Sequence, residues 1–268
     1  MITITKHHGL GNDFLVCDIS QAPAHASWPL VARRWCDRRR GIGADGLLLL
    51  DIVSHNELTM VLYNADGSRA EMSGNGIRCL AQAAFVAQGR DEPVSYIVNT
   101  DVGIREVSVV AFADSSVQAS VDMGPITDIG EPDGWSGVGV DPARPVLHLG
   151  VGNPHTVVAV DDVVGIDLLT LGAIVPHVNL EVIEPGPESA AITMRVHERG
   201  VGITQACGTG ACASAWAASR WGLASADDGE IIVHMDGGDA TVRLNEPRIG
   251  HVTLVGPAVL VASIQIDL

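Results

Sequence analysis

The chain has 268 residues, 47% of them hydrophobic, which is enough for one large domain or two modest domains with packed cores. Its 32 Asp and Glu outnumber 16 Lys and Arg, and the net charge of -16 repels nucleic-acid phosphates and anionic lipid headgroups. We therefore expect neither nucleic-acid nor membrane binding. The first residues show no basic flank followed by an apolar core, and no apolar run approaches a bilayer-spanning length, so a cytoplasmic protein is expected.

The predicted elements are mostly short strands, because β-branched runs alternate with turn residues along the chain. In chain order they are a helix at 30–37, strands at 47–53 and 58–63, a helix at 76–88, strands at 95–99, 106–112, 117–123 and 156–160, a helix at 167–174, a strand at 192–197, a helix at 210–221, and strands at 231–235, 240–244, 252–254 and 258–268. The helices at 76–88 and 210–221 are apolar on most sides, which is typical of a helix enclosed by other elements. Each is expected to be the central helix of a domain.

An internal repeat places the same type of loop before each central helix. Ser73-Gly-Asn-Gly and Cys207-Gly-Thr-Gly lie 134 residues apart, and Gly9-Leu-Gly-Asn recurs as Gly150-Val-Gly-Asn 141 residues later. With 30 glycines in the chain, chance matching is the alternative to duplication. Duplication predicts an N-terminal domain of residues 1–118, to which 258–268 return, and a C-terminal domain of residues 119–257.

Both loops have a chemistry that follows from their position at a helix N-terminus. Unpaired backbone N–H groups and the positive end of the helix dipole favour a bound anion, such as a small carboxylate. The same dipole is expected to lower the pKa of the Cys207 thiol, from ~8.5 towards ~7, and to make it a base. The alternative for Cys207 is a small packing residue, which is the role that we expect for Cys79 and Cys212 inside the helices.

A base on one face of a carbon and an acid on the other can remove a proton and return it with inversion. This is racemisation or epimerisation, and it needs no cofactor or metal. The five cysteines are an odd number, with no CxxC pair and no His-x-x-x-His partner, so we expect neither a disulfide scaffold nor a structural metal. Gly41-Ile-Gly-Ala-Asp-Gly46 fits the dinucleotide-binding pattern but runs into a predicted strand rather than a helix, which argues against that function.

Eight short segments, in the same order along the chain, resemble the diaminopimelate epimerase family. They are Gly9-Leu-Gly-Asn-Asp-Phe14, Gly41-Ile-Gly-Ala-Asp-Gly46, Asn64-Ala-Asp-Gly-Ser68, Ser73-Gly-Asn-Gly-Ile-Arg78, Gly152-Asn-Pro-His155, Val178-Asn179, Glu198-Arg-Gly-Val-Gly202 and Ala206-Cys-Gly-Thr-Gly-Ala211. The resemblance implies an α+β fold of two similar, pseudo-symmetric domains, each a β-barrel-like sheet around a central α-helix, with the active site in the cleft between them. It also implies a homodimer and epimerisation of LL-2,6-diaminoheptanedioate to the meso form without pyridoxal phosphate.

The resemblance also assigns residues to the site. Cys207 and residue 73 are the two acid–base positions, and the reacting carboxylate is held by Gly74, Asn75, Gly208 and Thr209. The distal amino-acid end is bound by Asn64, Asn153, Asn179 and Arg199, with Asn12 and Glu198 completing the pocket and His155 and Glu198 polarising the thiol. Each asparagine taken alone is typical of a turn. His197 and Gly46 depart from the family pattern, where an aromatic and a longer polar side chain are expected, so the resemblance leaves the shape of the pocket open.

The important departure is Ser73, where the family motif has cysteine. A hydroxyl holds its proton far more tightly than a thiol, so Ser73 is expected to be a poor base and full activity is in doubt. Three explanations stay open at this level: an engineered cysteine-to-serine substitution, a natural serine–cysteine pair as in some related hydroxyproline epimerases, and a homologue that binds its ligand but turns over slowly.

Two other functions compete with the leading one. The first is racemisation of another amino acid, such as histidine, on the same scaffold. A substrate without a distal carboxylate would leave the clamp of Asn64, Asn153, Asn179 and Arg199 unpaired, at ~1–3 kcal/mol for each buried group. The second is a non-catalytic protein that binds a carboxylate or phosphate ligand at the two loops, and it would show binding without exchange of the α-hydrogen.

Overall fold

The computed structural model describes residues 1–23, 26–113 and 115–266. Within these residues four α-helices are present: α1 (Trp28–Cys36), α2 (Gly74–Ala87), α3 (Leu168–Ile174) and α4 (Gly208–Trp221). The strands are β1 (Ile2–Gly9), β2 (Asn12–Asp18), β3 (Gly46–Ile52), β4 (Glu57–Asn64), β5 (Arg69–Ala70), β6 (Val94–Thr100), β7 (Gly103–Ala113), β8 (Ser116–Pro125), β9 (Thr127–Asp128), β10 (Val146–Gly150), β11 (Pro154–Ala159), β12 (Asn179–Pro185), β13 (Ala191–Glu198), β14 (Gly202–Thr204), β15 (Glu230–Met235), β16 (Gly238–Leu244) and β17 (His251–Ile266). No helix in the described part of the chain is both long and apolar enough to cross a membrane.

Contacts between Cα atoms divide the chain into two compact units. The first unit comprises Met1–Val121 and Gly256–Leu268, and the second comprises Asp122–Val255.

In the first unit the strands form a closed ring. The order is β1, β2, β3, β4, β6, β7 and β8, and β8 then pairs with β17, which returns to β1. The helix α2 contacts β1, β2, β3, β4 and β7 and therefore lies inside the ring. Closure leaves no unpaired edge in the ring, and it encloses a helix of which 12 of 14 residues are buried.

In the second unit the ring follows the order β10, β11, β12, β13, β15, β16 and β17. The ring is closed through β8 and β9, which are consecutive in the chain: β17 pairs with β8, and β9 pairs with β10. The enclosed helix is α4, which contacts β10, β11, β12, β13, β15 and β16. Ten of its 14 residues are buried, and seven of those ten are alanine or glycine, whose small side chains let the surrounding strands pack closely.

The two units repeat one order of elements and one pattern of pairing. A hairpin, a helix, a parallel third strand, an antiparallel fourth strand and a short fifth strand lead to the central helix, and a parallel strand and two antiparallel strands follow it. The parallel pairs are β2–β3 and β4–β6 in the first unit and β11–β12 and β13–β15 in the second.

The four predicted helices and most of the predicted strands are confirmed, but two kinds of error are informative. Residues 252–254 and 258–268 were predicted as separate strands, whereas β17 is continuous over His251–Ile266, and residues 267–268 lie outside the described part of the chain. Gly256 and Pro257 lie inside β17, and glycine and proline are both residue types that usually weaken or end a strand. The strands β1, β2, β5, β9, β10, β12 and β14 were not predicted, because several are short and others carry polar residues at inward positions.

Candidate active site

The first loop of the repeat caps helix α2. Ser73 is the N-cap residue in an extended conformation (φ −142°, ψ 121°), and its Oγ accepts a hydrogen bond of 3.0 Å from the backbone N–H of Gly76. The helix therefore begins at Gly74, two residues before the predicted start, because the Ser73 hydroxyl satisfies one of the unpaired N–H groups. Ser73 itself is half-buried.

A chain of hydrogen bonds fixes Asn75 beside this cap. Arg78 Nη2 donates to Asn75 Oδ1 at 2.7 Å, and Arg78 Nη1 donates to the carbonyl oxygen of Gly74 at 3.2 Å. The Asn75 amide donates to Asn12 Oδ1 at 3.2 Å, and the Asn12 amide donates to Asp45 Oδ2 at 2.8 Å. The structure thus brings Asn12, Gly74 and Asn75 together, with Arg78 and Asp45 as further members of the chain of hydrogen bonds.

The Arg78 guanidinium is fully buried between two glycines. A Cβ atom at Gly9 would lie 3.1 Å from Arg78 Nη2, and one at Gly256 would lie 3.1 Å from Arg78 Cζ. Arg78 Nε also donates to the carbonyl oxygen of Pro257 at 3.3 Å. Gly9, the first residue of the repeated Gly-x-Gly-Asn motif, therefore leaves room for a buried cation under helix α2.

An ionic network supports the Asn12 end of this chain. Lys6 Nζ lies 2.9 Å from Asp13 Oδ2, and Arg38 Nη2 lies 2.6 Å from Asp13 Oδ1 and 2.7 Å from Asp45 Oδ1. Partial burial disfavours ionisation of Asp13, but hydrogen bonds and charge from Arg38 and Lys6 outweigh it and hold the pKa of that carboxyl below its ordinary value.

Asn64, the remaining predicted ligand of the first unit, ends strand β4. Its side-chain amide donates to Ser68 Oγ at 3.0 Å, and its backbone pairs with Gly46 across the β3–β4 ladder. A Cβ atom at Gly46 would lie 2.9 Å from the carbonyl oxygen of Tyr63, so the absence of a longer side chain at position 46 matches the close approach of β4.

The second loop of the repeat caps helix α4 in the same way. Cys207 is the N-cap residue (φ −127°, ψ 113°), and its Sγ accepts from the backbone N–H of Gly210 at 3.4 Å and lies 3.4 Å from Thr209 Oγ1. Only 5% of Cys207 is exposed. Cys79 and Cys212 are fully buried inside α2 and α4, as expected of core residues.

Two carboxylates surround the Cys207 thiol. Burial, and then the charges of Glu198 and Glu181, raise the pKa of Cys207 well above its ordinary value, against the lowering effect of the Thr209 hydroxyl and the Gly210 N–H. The expected lowering of this pKa by the helix dipole is therefore wrong. The dipole is present, but desolvation and like charge act in the opposite direction and are stronger.

Glu198 lies at the end of strand β13, where it contacts both the thiol and a hydroxyl. It accepts a hydrogen bond from Thr204 Oγ1 at 2.5 Å and interacts with the side chain of Cys207. Burial and the charge of Glu181 raise the pKa of Glu198, while the Thr204 hydrogen bond lowers it. Because the pKa values of both Glu198 and Cys207 are raised, a proton shared by this pair is held tightly.

His155 connects the strand ends beside α4. Its Nδ1 lies 2.6 Å from Glu181 Oε1 and its Nε2 lies 2.8 Å from Asn153 Oδ1, and both His155 and Glu181 are fully buried. His155 and Asn179 are register partners in the parallel β11–β12 ladder.

Asn179 in turn orients the chain after β13. Its Oδ1 accepts the backbone N–H of Arg199 at 2.8 Å, and its amide donates to the carbonyl oxygen of Pro154 at 3.2 Å. The Arg199 side chain is exposed. His197 packs on Gly172 of α3, since a Cβ atom there would lie 2.1 Å from its ring.

The predicted site residues of the second unit lie at the cap of α4 or in the hydrogen bonds around His155 and Asn179. The exception is the exposed side chain of Arg199. Glu181 was not predicted as a site residue from the sequence. The sequence does contain an indication, because Glu181 is the single charged residue in the apolar run 180–183. Since β12 was not predicted as a strand, the sequence did not show that this carboxylate points into the interior. Arg78 and Asp45 were missed for a related reason, since a charged residue in a helix or a turn is ordinarily on the surface.

Comparisons with known proteins agree with this architecture. The family model described as diaminopimelate epimerase matches residues 4–129 and 148–261. A diaminopimelate epimerase of Magnetococcus marinus is 40% identical over 271 residues, covering 94% of this chain and 92% of the relative. One of Thermosynechococcus vestitus is 38% identical over 287 residues, covering 98% of each.

Among solved structures, a predicted epimerase from Pseudomonas aeruginosa superposes with a TM-score of 0.77 at 15% identity, covering 100% of both chains. A hydroxyproline epimerase from Agrobacterium vitis superposes with a TM-score of 0.71 at 14% identity, covering 100% of this chain and 92% of the other. At such low identity these matches show the fold alone. It is an α+β architecture of strand rings, with four α-helices in the part of the chain that the structure describes.

The fold and the matched family define the protein as an isomerase. The chain belongs to the diaminopimelate epimerase family.

Proposed function

We propose that this chain converts LL-2,6-diaminoheptanedioate into the meso isomer by two-base proton transfer, without a cofactor, as a cytoplasmic homodimer in lysine biosynthesis. One acid–base group comes from each unit, Cys207 from the second and Ser73 from the first. The observation that carries the proposal is the buried Cys207 thiol, which caps a 14-residue helix and interacts with Glu198 in a chain that belongs to this family.

We further propose that the two units are duplicated, pseudo-symmetric domains, with boundaries at residues 1–118 plus 258–268 and 119–257. The repeated order of elements and the repeated parallel pairs support this, because ten elements in one order rarely recur by chance.

Each of the two caps offers backbone N–H groups suited to a carboxylate. The N–H groups of Gly74 and Asn75 in α2 and of Gly208 and Thr209 in α4 lie in the first turns of their helices, at the positive end of each helix dipole. Such groups stabilise a carboxylate, and they stabilise an enolate-like transition state more because its oxygens carry more charge.

Cys207 is the better acid–base group of the two. In the protein without substrate it is a thiol, because its pKa is raised, and Glu198 is the neighbouring carboxylate that can accept its proton. His155 lies in the same network and keeps the strand ends in place through Glu181 and Asn153.

Ser73 is the weaker group. Its Oγ accepts one N–H hydrogen bond from Gly76, which gives little help towards an alkoxide compared with the low intrinsic acidity of a hydroxyl. The reaction is therefore unequal in its two directions: proton removal by Cys207 is retained, and proton removal at residue 73 is slow.

The distal end of the substrate is bound by Asn64, Asn153, Asn179 and Arg199, with Asn12 and Glu198 beside them. Arg199 supports this role because its backbone N–H is held by Asn179 and the residue is exposed, and a guanidinium can donate two parallel hydrogen bonds to a carboxylate.

The test is exchange of the α-hydrogen in deuterium oxide, followed by mass spectrometry, together with inversion followed by chiral chromatography, starting from each isomer. We expect rapid exchange from the isomer that Cys207 deprotonates, and slow inversion in both directions. Rapid exchange and inversion from both isomers would refute the weakness of Ser73, and no exchange from either would refute the proposed function.

The variant Ser73→Cys should raise the rate of inversion by about 10²-fold or more, because a thiol replaces a hydroxyl as the acid–base group. Ser95→Cys, at an exposed position of β6, is the matched control and should leave the rate unchanged. An unchanged rate in Ser73→Cys would mean that residue 73 is not an acid–base position.

A further inference from the structure

Glu181 is a buried carboxylate that the reaction described above does not use. It belongs to β12 and is fully buried. Its carboxylate lies between the His155 ring and the first turn of α4. Its Oε1 lies 2.6 Å from His155 Nδ1, and its Oε2 has no hydrogen-bond partner in the described part of the chain. A buried carboxylate oxygen without a partner is costly, so its presence needs an explanation.

Glu181 also lies directly under the cap of α4. A Cβ atom at Gly210 would be 2.7 Å from Glu181 Oε1, so the glycine at this position leaves the space that the carboxylate occupies. Gly210 is the residue whose N–H donates to Cys207 Sγ. The same carboxylate therefore contacts the histidine on one side and the turn that holds the thiol on the other.

We propose that Glu181 is a positioning residue of the Cys207 site: it orients the His155 ring and places a fixed negative charge under the cap, so that Cys207 rests as a thiol until substrate binds. The inference rests on the proposed function and deepens it, since it says how the second unit stores the proton that it later transfers.

The orientation follows from hydrogen-bond chemistry. An ionised carboxylate only accepts hydrogen bonds, so His155 Nδ1 carries the proton that it donates to Glu181 Oε1. The other ring nitrogen, Nε2, pairs with the side-chain amide of Asn153, which donates to it through its NH2 group when the amide is turned about its last bond. Carboxylate–histidine pairs of this kind fix the ring and its tautomer in many active sites.

The charged groups around Cys207 explain why its sulfur keeps the proton. The groups that face Cys207 are Glu198 from β13, Glu181 from β12, and Thr209 and Gly210 from its own helix, with His155 from β11 adjacent to both carboxylates. The hydroxyl and the N–H favour the thiolate, and the two carboxylates together with burial oppose it. Removing one of the two charges should therefore release the thiol proton at a lower pH.

The experiment measures the titration of Cys207 directly, by the ultraviolet absorbance of the thiolate as a function of pH and by the rate of alkylation with iodoacetamide at neutral pH. Cys207→Ala provides the background to subtract. Cys17, Cys36 and Cys79 do not interfere, because burial raises the pKa of each to about 12.

In Glu181→Gln we expect the titration of Cys207 to move down by about one pH unit or more, and alkylation to be about tenfold faster. The matched control is Glu184→Gln, three residues along the same strand, whose carboxylate accepts from the backbone N–H of Val163 and does not face the thiol. It should behave as the wild type.

Glu181→Asp separates charge from position. It keeps the negative charge but shortens the side chain, so the thiol should titrate within a few tenths of a pH unit of the wild type while exchange of the α-hydrogen slows several-fold as His155 loses its partner. An unchanged titration in Glu181→Gln would overturn the proposal.

A wild-type Cys207 that titrates below the ordinary ~8.5 of a cysteine would overturn it as well, and this measurement needs no variant. Neither result depends on turnover. The absence of α-hydrogen exchange in the wild type would refute the proposed function, and it would leave the titration result to be judged separately.

Discussion

Helices α2 and α4 begin with the same type of N-cap, but the buried charged group near the first turn is a cation in α2 and an anion in α4. Each has 14 residues and an extended N-cap residue whose side chain accepts the N–H three residues further on. The buried Arg78 guanidinium lies close to the first turn of α2. The equivalent residue of α4, at the same offset of 134 as the two caps, is the uncharged Cys212. Close to the first turn of α4 is the Glu181 carboxylate.

The difference shows how two units with the same order of elements can prefer opposite charges at equivalent helix caps. A cation near the cap of α2 favours a bound anion there, whereas carboxylates near the cap of α4 favour a bound proton on Cys207. The backbone supplies the hydrogen bonds in both units, and the side chains under the caps decide which charge each unit prefers.

The largest effect that separates the two caps is expected from removing the two proposed acid–base groups, Cys207 and Ser73. Cys207→Ala should reduce exchange of the α-hydrogen by about 10³-fold, because no other group in the second unit is placed to take that proton. Ser73→Ala should leave the exchange from the same isomer within a few-fold of the wild type. Equal losses in the two variants, measured in deuterium oxide, would show that the caps are equivalent and that the comparison fails.

A second prediction concerns the histidines that support the two hairpins. His7 in β1 is fully buried, bonded to Gln82 of α2 at 2.9 Å and to Thr5 Oγ1 at 2.8 Å, and burial lowers its pKa to about 4. His148, 141 residues later in β10, is half-buried, and burial lowers its pKa as well. Below the unfolded pKa of about 6.5 the unfolded chain binds a proton that folded His7 does not, so stability falls as the pH falls from about 6.5 towards 4.

Denaturation by urea at neutral pH and near pH 4.5 measures this loss, which for His7 is about 2–3 kcal/mol. His7→Gln should remove most of it from the pH dependence, while His148→Gln should remove less. The reverse ranking would contradict the difference in burial between the two hairpins.

The smallest effect is expected from the glycines in the first turns. Gly210→Ala should destabilise the protein by about 2 kcal/mol, since the new Cβ would lie 2.7 Å from Glu181 Oε1 in a fully buried setting. At Gly76 the nearest atom is Ser73 Cβ at 3.1 Å, and the helix preference for alanine, about 1 kcal/mol, offsets part of the crowding. Thermal unfolding of the two variants tests the ranking, and a larger loss in Gly76→Ala would mean that Glu181 moves aside easily.

Much of the fold was predictable because it depends on local patterns. The apolar helices, the glycine loops before them and most strands follow from composition and spacing, and the resemblance supplied Asn12, Asn75, Asn153, His155, Asn179 and Glu198, which the structure places in two hydrogen-bonded networks. The strands β1, β2 and β12 were less predictable, since His7, Asp13 and Glu181 are polar residues on inward faces. Their burial is allowed by partners distant in the chain, such as Gln82 for His7 and Arg38 for Asp13.

The amino-acid sequence by itself determined the repeat, the two helix caps and the presence of Ser73 and Cys207 at them, because capping and periodicity are properties of neighbouring residues. Only the tertiary structure decided the charge that each cap meets. Arg78 is held beneath α2 by space at Gly9 and Gly256, and Glu181 reaches the cap of α4 from a strand 26 residues before Cys207. The helix dipole alone predicts a thiolate at Cys207, but desolvation and two converging carboxylates raise the pKa of that thiol, and these depend on which distant residues the fold brings together.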